Sequence, residues 1–154
     1  MVKVLFVCLG NICRSPMAEF IMKDIVRREG YSSRFFIASA GTSAEEEGNP
    51  VYPPARAELS KHGISCAGKR AQKFRLSDYK EYDYILCMES WHVKTLLRLT
   101  GDPDRKISRL LDHTAHPKDI ADPWYTRNFS LAYKEIEEGV HAFLDELEKK
   151  GIIR

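Results

Sequence analysis

The apolar run at the N-terminus is the feature that most constrains the fold. Residues 2–7 read VKVLFV, with β-branched and aromatic side chains and almost no polar alternation. Such a run is typical of a strand buried on both faces of a parallel sheet. Parallel strands are joined by crossover connections, usually helices, so the rest of the chain must alternate between strand and helix.

The remaining sequence supplies this alternation. Ser15 as N-cap and Pro16 at the first helical position predict a helix that ends near Glu29. Further strands are predicted over 34–40, 82–88 and 106–110, and further helices over 54–61, 90–99 and 128–149, with long loops over 41–53 and 111–127. We therefore expect a three-layer α/β sandwich with a short, twisted parallel sheet of about four strands, flanked by helices.

Length, charge and cysteine content narrow the class of protein. The 154 residues predict a single domain over 1–154, and a net charge of +2 favours neither nucleic acid nor an anionic membrane as partner. No segment approaches the roughly 18 apolar residues of a membrane span, and the first run is too short for a signal-peptide core. Four cysteines at no zinc-ligand spacing predict no metal site and a cytoplasmic protein with reduced thiols.

The segment VCLGNICRSP, residues 7–16, joins the first strand to the first helix. Ligands of open parallel sheets bind at the carboxyl ends of the strands, where Cys8 lies. Gly10 and Asn11 accept the left-handed backbone of a tight loop. The backbone amides, with a helix N-terminus behind them, predict a phosphate-binding loop. Its residues are Leu9, Gly10, Asn11, Ile12, Cys13 and Arg14.

Cys8 and Arg14 add chemistry to this loop. Surroundings that attract phosphate also stabilise a thiolate, to which the Ser15 hydroxyl can donate, so Cys8 is the predicted nucleophile. The planar guanidinium of Arg14 can hold two phosphoryl oxygens as charge develops on them. Taken alone, Cys8 reads as a buried core thiol and Arg14 as a surface charge. Their place between a strand and a helix favours the catalytic interpretation.

The segment ADPWYTRN offers a proton donor for the leaving group. Pro123 keeps the backbone of Asp122 extended, so its carboxyl group can be aimed as a general acid. An ordinary Asp-Pro turn is the alternative. Trp124 and Tyr125 either line the mouth of the cleft or pack the loop down.

Cys13 lies five positions after Cys8 in the same loop. We predict that it is a redox partner, forming a disulfide that protects the Cys8 thiolate from overoxidation. The alternative is that Cys13 only packs beneath the loop.

Several segments in order, VCLGNICRSPMAE, SAGTS, GNP, KHGI, DYILCM and DPWY, resemble the low-molecular-weight protein tyrosine phosphatase family. The resemblance runs from Val4 to about Leu147. It implies Cys8 as nucleophile, Arg14 as phosphate clamp and Asp122 as acid and then base. It also implies a supporting network around the loop, formed by Asn11, Ser15, Ser39 and His62.

The implied activity is hydrolysis of phosphomonoesters through a phosphocysteine intermediate, without a cofactor. Phosphotyrosine proteins or small aryl phosphates are the expected substrates, and inorganic phosphate is the expected product. The expected assembly is a monomer or a weak dimer.

The sequence departs from the family at the cleft wall, where Glu45 replaces the usual aromatic residue in the segment AEEEGNP. A carboxylate there repels acidic phosphopeptides and removes one face of a slot for a phenyl ring. The alternative is that Glu45 to Glu47 form a solvated charge run on a loop.

Two other functions share parts of this pattern. A thioredoxin-coupled arsenate reductase of the same fold needs a closely spaced resolving cysteine pair, whereas Cys87 follows Cys66 by 21 residues within an apolar strand. A non-catalytic phosphate- or phosphotyrosine-binding module would be expected to lose Cys8, Arg14 or Asp122. Turnover of an aryl phosphate distinguishes that module from an enzyme.

Overall fold

The computed structural model describes residues 1–153 and contains a four-stranded parallel sheet. Its strands are β1 (Val2–Cys8), β2 (Phe35–Gly41), β3 (Tyr84–Cys87) and β4 (Ile107–Arg109), in the order β2-β1-β3-β4. Within β1, Val4 lies opposite Ile37 of β2 on one side and Tyr84 of β3 on the other. The predicted parallel sheet is confirmed.

The helices flank this sheet. Within residues 1–153 they are α1 (Arg14–Arg28), α2 (Pro53–Lys61), α3 (Leu76–Glu81), α4 (Ser90–Thr100), α5 (Pro123–Thr126) and α6 (Phe129–Lys149), with 3₁₀ turns at Ser32–Arg34 and Leu110–His113. None of these helices is long and apolar enough to cross a membrane.

Strand β1 is buried on both faces, which explains its almost uniformly apolar sequence. Val4 and Phe6 pack into the larger core together with α1, α2 and α6. Leu5 and Val7 point to the opposite face and pack with residues of α3 and α4. The alternation of side chains along a strand thus divides the core between two helical layers.

Helices α1 and α3 differ from the predictions for identifiable reasons. Helix α1 begins at Arg14, with Cys13 in the N-cap position and no side-chain cap. Ser15, the predicted cap, instead directs its hydroxyl to the Cys8 sulfur. Helix α3 was not predicted, because six residues are too short to show a helical period. Asp78 stabilises its start by accepting the N–H of Arg75.

The sheet topology indicates the edge of the sheet at which a ligand would bind. From β1 the chain passes first to β2 on one side and later to β3 on the other. The carboxyl end of β1 is therefore a switch point, where open parallel sheets form a crevice. Cys8 is the last residue of β1 and lies at this point.

Candidate active site

The loop after β1 directs its carbonyl groups into the fold and leaves its amides free. The carbonyl oxygens of Cys8, Leu9 and Ile12 accept hydrogen bonds from Thr42, Ser43 and Tyr52. Among the hydrogen bonds within residues 1–153, none uses the N–H groups of residues 9–13 as donor. Together with the uncapped N-terminus of α1, these donors form an anion site.

Gly41 allows this loop to lie close against the end of β2. A Cβ atom at position 41 would lie 2.6 Å from the carbonyl oxygen of Leu9. Any larger residue would therefore push the loop away from β2 and change the curvature that brings its amides together.

Cys8 lies at the base of the loop, with its side chain 3% exposed. Its Sγ is 2.9 Å from the Oγ of Ser15. Ser15 Oγ accepts a hydrogen bond from Asn11 Nδ2 at 2.8 Å, so its own proton remains available. That proton has two acceptors in reach, the Cys8 sulfur and, at the longer distance of 3.4 Å, the Ala40 carbonyl. The hydroxyl can thus donate to a Cys8 thiolate.

Asn11 holds the loop in shape. Its φ of 59° is left-handed, as its residue type predicted. Its Nδ2 donates to Ser15 and, at 3.0 Å, to Ser39 Oγ, while its Oδ1 accepts the N–H of Gln72. The buried amide side chain therefore uses both of its N–H groups and its oxygen to fix the loop.

The network continues from Ser39 into a buried ion pair that the sequence did not predict. Ser39 Oγ donates to Glu19 at 2.6 Å, and Lys69 Nζ lies 3.2 Å from the same Glu19 oxygen. Lys69 also donates to the Ser39 carbonyl. Glu19, a charged residue among the apolar positions of α1, was the only available signal, and nothing in the sequence pointed to Lys69 or Gln72.

His62, expected in this network, lies elsewhere. It follows α2 as its C-cap, with Nε2 3.2 Å from Glu58, and its ring stacks on Tyr133 of α6 at 3.7 Å between ring centroids. The geometry therefore gives His62 a role between α2 and α6. Gln72, Glu19 and Lys69 brace the loop instead.

Arg14 is 2% exposed and is held by two loops at the carboxyl edge of the sheet. Its Nη1 donates to the Ile120 carbonyl and lies 2.7 Å from Glu89 Oε2. Glu89 was not identified from the sequence, although its place just after β3 put it at the same edge as Cys8. These two bonds use Nη1, and Nη2 lies 3.4 Å from Asp122 Oδ2, so Nε and the remaining N–H of Nη2 are available to bind a phosphoryl group.

Asp122 lines the same cavity and is the N-cap residue of α5. Its backbone is extended, as Pro123 predicted, and its Oδ1 accepts the Trp124 N–H at 3.0 Å. Its other oxygen, Oδ2, is 3.4 Å from Arg14 Nη2. The structure thus places a partly exposed carboxyl group beside the predicted phosphate clamp.

The cleft above Cys8 is a cavity of about 210 Å³. Its predicted wall residues Glu45, Trp124 and Tyr125 all line it, together with Leu9 and Glu46. The Trp124 ring packs against Tyr52 at 4.7 Å, whereas Tyr125 is 80% exposed. Two aromatic rings and three carboxyl groups, those of Glu45, Glu46 and Asp122, therefore line the cavity.

The four cysteines are free thiols in the structure. Cys13 lines the same cavity as Cys8, and burial together with the nearby Cys8 and Asp122 raises the pKa of Cys13 to about 12. Cys13 is therefore a thiol at neutral pH, and its role as redox partner stays a prediction. Cys87 is fully buried in β3, where burial raises its pKa strongly, so it is poorly suited to resolve an adduct.

A loop of free amides around a cysteine, at the switch point of a parallel sheet, defines an α/β protein built to handle a phosphoryl group. Comparison with known proteins identifies the family. A family model described as "Low molecular weight phosphotyrosine protein phosphatase" matches residues 3–152.

Two relatives and one solved structure agree with this match. The low molecular weight protein-tyrosine-phosphatase YfkJ of Bacillus subtilis is 36% identical over 153 residues, covering 97% of this chain and 98% of YfkJ. A low molecular weight phosphotyrosine protein phosphatase of Schizosaccharomyces pombe is 40% identical over 152 residues, covering 95% of this chain and 97% of the yeast protein. The YfkJ crystal structure matches with a TM-score of 0.93 at 36% identity, covering 97% of this chain and 96% of that one. The chain therefore belongs to the low-molecular-weight protein tyrosine phosphatase family, which confirms the family prediction.

Proposed function

We propose that this chain hydrolyses phosphate monoesters, with phosphotyrosine in proteins as the substrate class, through a phosphocysteine at Cys8. The main supporting observation is the unused set of amide donors in residues 9–13 around a sulfur that lies 2.9 Å from the Ser15 hydroxyl. Family membership supports the same reaction class.

In the first step the Cys8 thiolate attacks phosphorus while the bond from phosphorus to the tyrosyl oxygen breaks. The Asp122 carboxyl group gives its proton to the leaving oxygen, so the product departs as a neutral phenol. Loop amides and the Nε and Nη2 groups of Arg14 bind the equatorial oxygens, where negative charge accumulates in the transition state.

In the second step water attacks the phosphocysteine, and the sulfur leaves as a thiolate. The Asp122 carboxylate takes the proton of the attacking water and so returns to its acid form. The Ser15 hydroxyl stabilises the departing thiolate, which gives the support network around Asn11 a role in this step. Inorganic phosphate is then released.

We test the activity by measuring phosphate release from phosphotyrosine peptides, phosphoserine peptides and small esters. We expect fast release from the aryl esters and little from phosphoserine, because an alkoxide is a poorer leaving group than a phenolate. Binding of phosphotyrosine without release from any substrate would show a binding module and overturn the proposal. A cytoplasmic location and a monomer or weak dimer stay predictions from the sequence.

The acidic cleft wall points to substrates without acidic neighbours. Glu45 and Glu46 line the cavity, and no ion pair within residues 1–153 neutralises either carboxylate. Glu47 lies outside the cavity lining and accepts the N–H of Lys73. We infer that phosphotyrosine flanked by basic residues binds better than phosphotyrosine flanked by acidic ones.

We predict that Glu45→Tyr raises kcat/KM for an acidic phosphotyrosine peptide by about tenfold, since it removes a repulsive charge and adds an aromatic face. A small aryl phosphate should gain less, and high salt should shrink the charge-dependent part. Glu47→Tyr is the matched control and should change neither substrate. Equal gains for peptide and small ester, or no gain for either, would show that Glu45 does not select substrates.

A further inference from the structure

His92 is a fully buried histidine that the mechanism above does not use. It lies in the first turn of α4, and its side chain is 0% exposed. Its Nδ1 accepts the backbone N–H of Glu89 at 3.1 Å. Glu89 is the residue before α4, and its carboxylate is the one that holds Arg14.

We propose that His92 is a positioning residue for Arg14, acting through Glu89, an inference that depends on the proposed phosphatase function. The imidazole fixes the backbone of Glu89 at the end of β3. This fixes the starting point of a side chain whose carboxylate must reach Arg14 Nη1 at 2.7 Å. A shift of Glu89 would leave Arg14 Nη1 with only one of its two acceptors, the Ile120 carbonyl.

The environment of His92 keeps it in the form that this role requires. Because Nδ1 accepts a hydrogen bond, the ring proton lies on Nε2, for which residues 1–153 provide no partner. Burial of an unpartnered N–H is unfavourable, and an apolar side chain would avoid it. The hydrogen bond that Nδ1 accepts from the Glu89 N–H therefore explains why a histidine occupies this position.

The charge state of His92 agrees with its role as acceptor for the Glu89 N–H. Burial, and secondarily the nearby Arg14, lower the pKa of His92 to about 3, against an opposing effect of Asp119. The ring is therefore neutral at any working pH, and Nδ1 stays an acceptor. A protonated ring would lose the bond to Glu89 and repel Arg14.

A double-mutant cycle separates positioning from simple stabilisation of α4. His92→Leu keeps the bulk and removes the acceptor, whereas His92→Asn keeps a side-chain acceptor close to the backbone. We expect His92→Leu to lower kcat for an aryl phosphate and to weaken inorganic phosphate binding, each by about tenfold, a change of ~1.4 kcal/mol. His92→Asn should recover most of the lost kcat and most of the lost phosphate affinity.

In a Glu89→Gln background, His92→Leu should have little further effect, because the positioned carboxylate is already gone. Equal losses in both backgrounds, or a lowered Tm with unchanged kcat and phosphate affinity, would overturn the proposal. If the leucine variant does not fold, His92→Ala replaces it in the cycle. Calorimetric phosphate binding reports the position of Arg14 without turnover. An inactive wild-type protein would thus refute the phosphatase function while leaving this test intact.

Discussion

Cys8→Ser is expected to abolish turnover of an aryl phosphate while the fold and phosphate binding persist. A serine hydroxyl is hardly ionised at neutral pH, so the attacking group is lost. The amides of residues 9–13 and Arg14 are unchanged, and a hydroxyl can still hydrogen-bond to Ser15. Steady-state kinetics together with calorimetric phosphate binding check both parts of this expectation.

Cys66→Ser is the matched control, because Cys66 is also buried but does not line the cavity above Cys8. It should keep near-normal activity. If Cys8→Ser retained activity within about tenfold of wild type, a barrier change of only ~1.4 kcal/mol, Cys8 would not be the nucleophile.

Asp122→Asn is expected to slow esters with poor leaving groups by roughly a hundredfold or more, as loss of a general acid does. Activated phenols depart without a proton and should lose much less. Asparagine is a good N-cap and keeps the bond from Trp124 at the start of α5, so the loop should hold its shape.

The measurement is the dependence of kcat/KM on the leaving-group pKa of substituted phenyl phosphates. Asp112→Asn serves as the control, because Asp112 pairs with Arg109 away from the cleft and should leave the dependence unchanged. An equal loss across the series would remove Asp122 from the acid role.

The sheet and its main helices were predictable because their signals are local. The run from Val2 to Val7 shows burial on both faces, and Gly101 ends α4 in the left-handed conformation that glycine favours. Asn128 caps α6 through its side chain, one residue before the first helical position. Helices α3 and α5 escaped prediction because each is too short to show a period, and α5 lies within the predicted loop over 111–127.

The candidate site likewise contains some residues that a local sequence signal predicts and others that no local signal predicts. Cys8, Asn11, Ser15 and Arg14 occupy one short segment whose spacing already indicates an anion site, and the structure gathers them there. The residues that contact this segment from distant parts of the chain have no comparable sequence signal. Glu89 reaches Arg14 because the parallel strands bring their carboxyl ends to one edge. Lys69 reaches Glu19 because the segment between α2 and α3 lies against β2, where Lys69 also donates to the Ser39 carbonyl. The placement of His62 against Tyr133 likewise follows from helix packing, which no local pattern reveals.

The covalent intermediate tests the central claim most directly. The protein is mixed with a phosphotyrosine peptide, quenched within one turnover, and mapped by mass spectrometry under conditions that preserve phosphothioesters. We expect a phosphoryl group on the peptide that contains Cys8, formed as fast as the phenol is released and lost as inorganic phosphate appears. Phenol release with no phosphorylated peptide, or with the phosphoryl group on another residue, would contradict catalysis by Cys8.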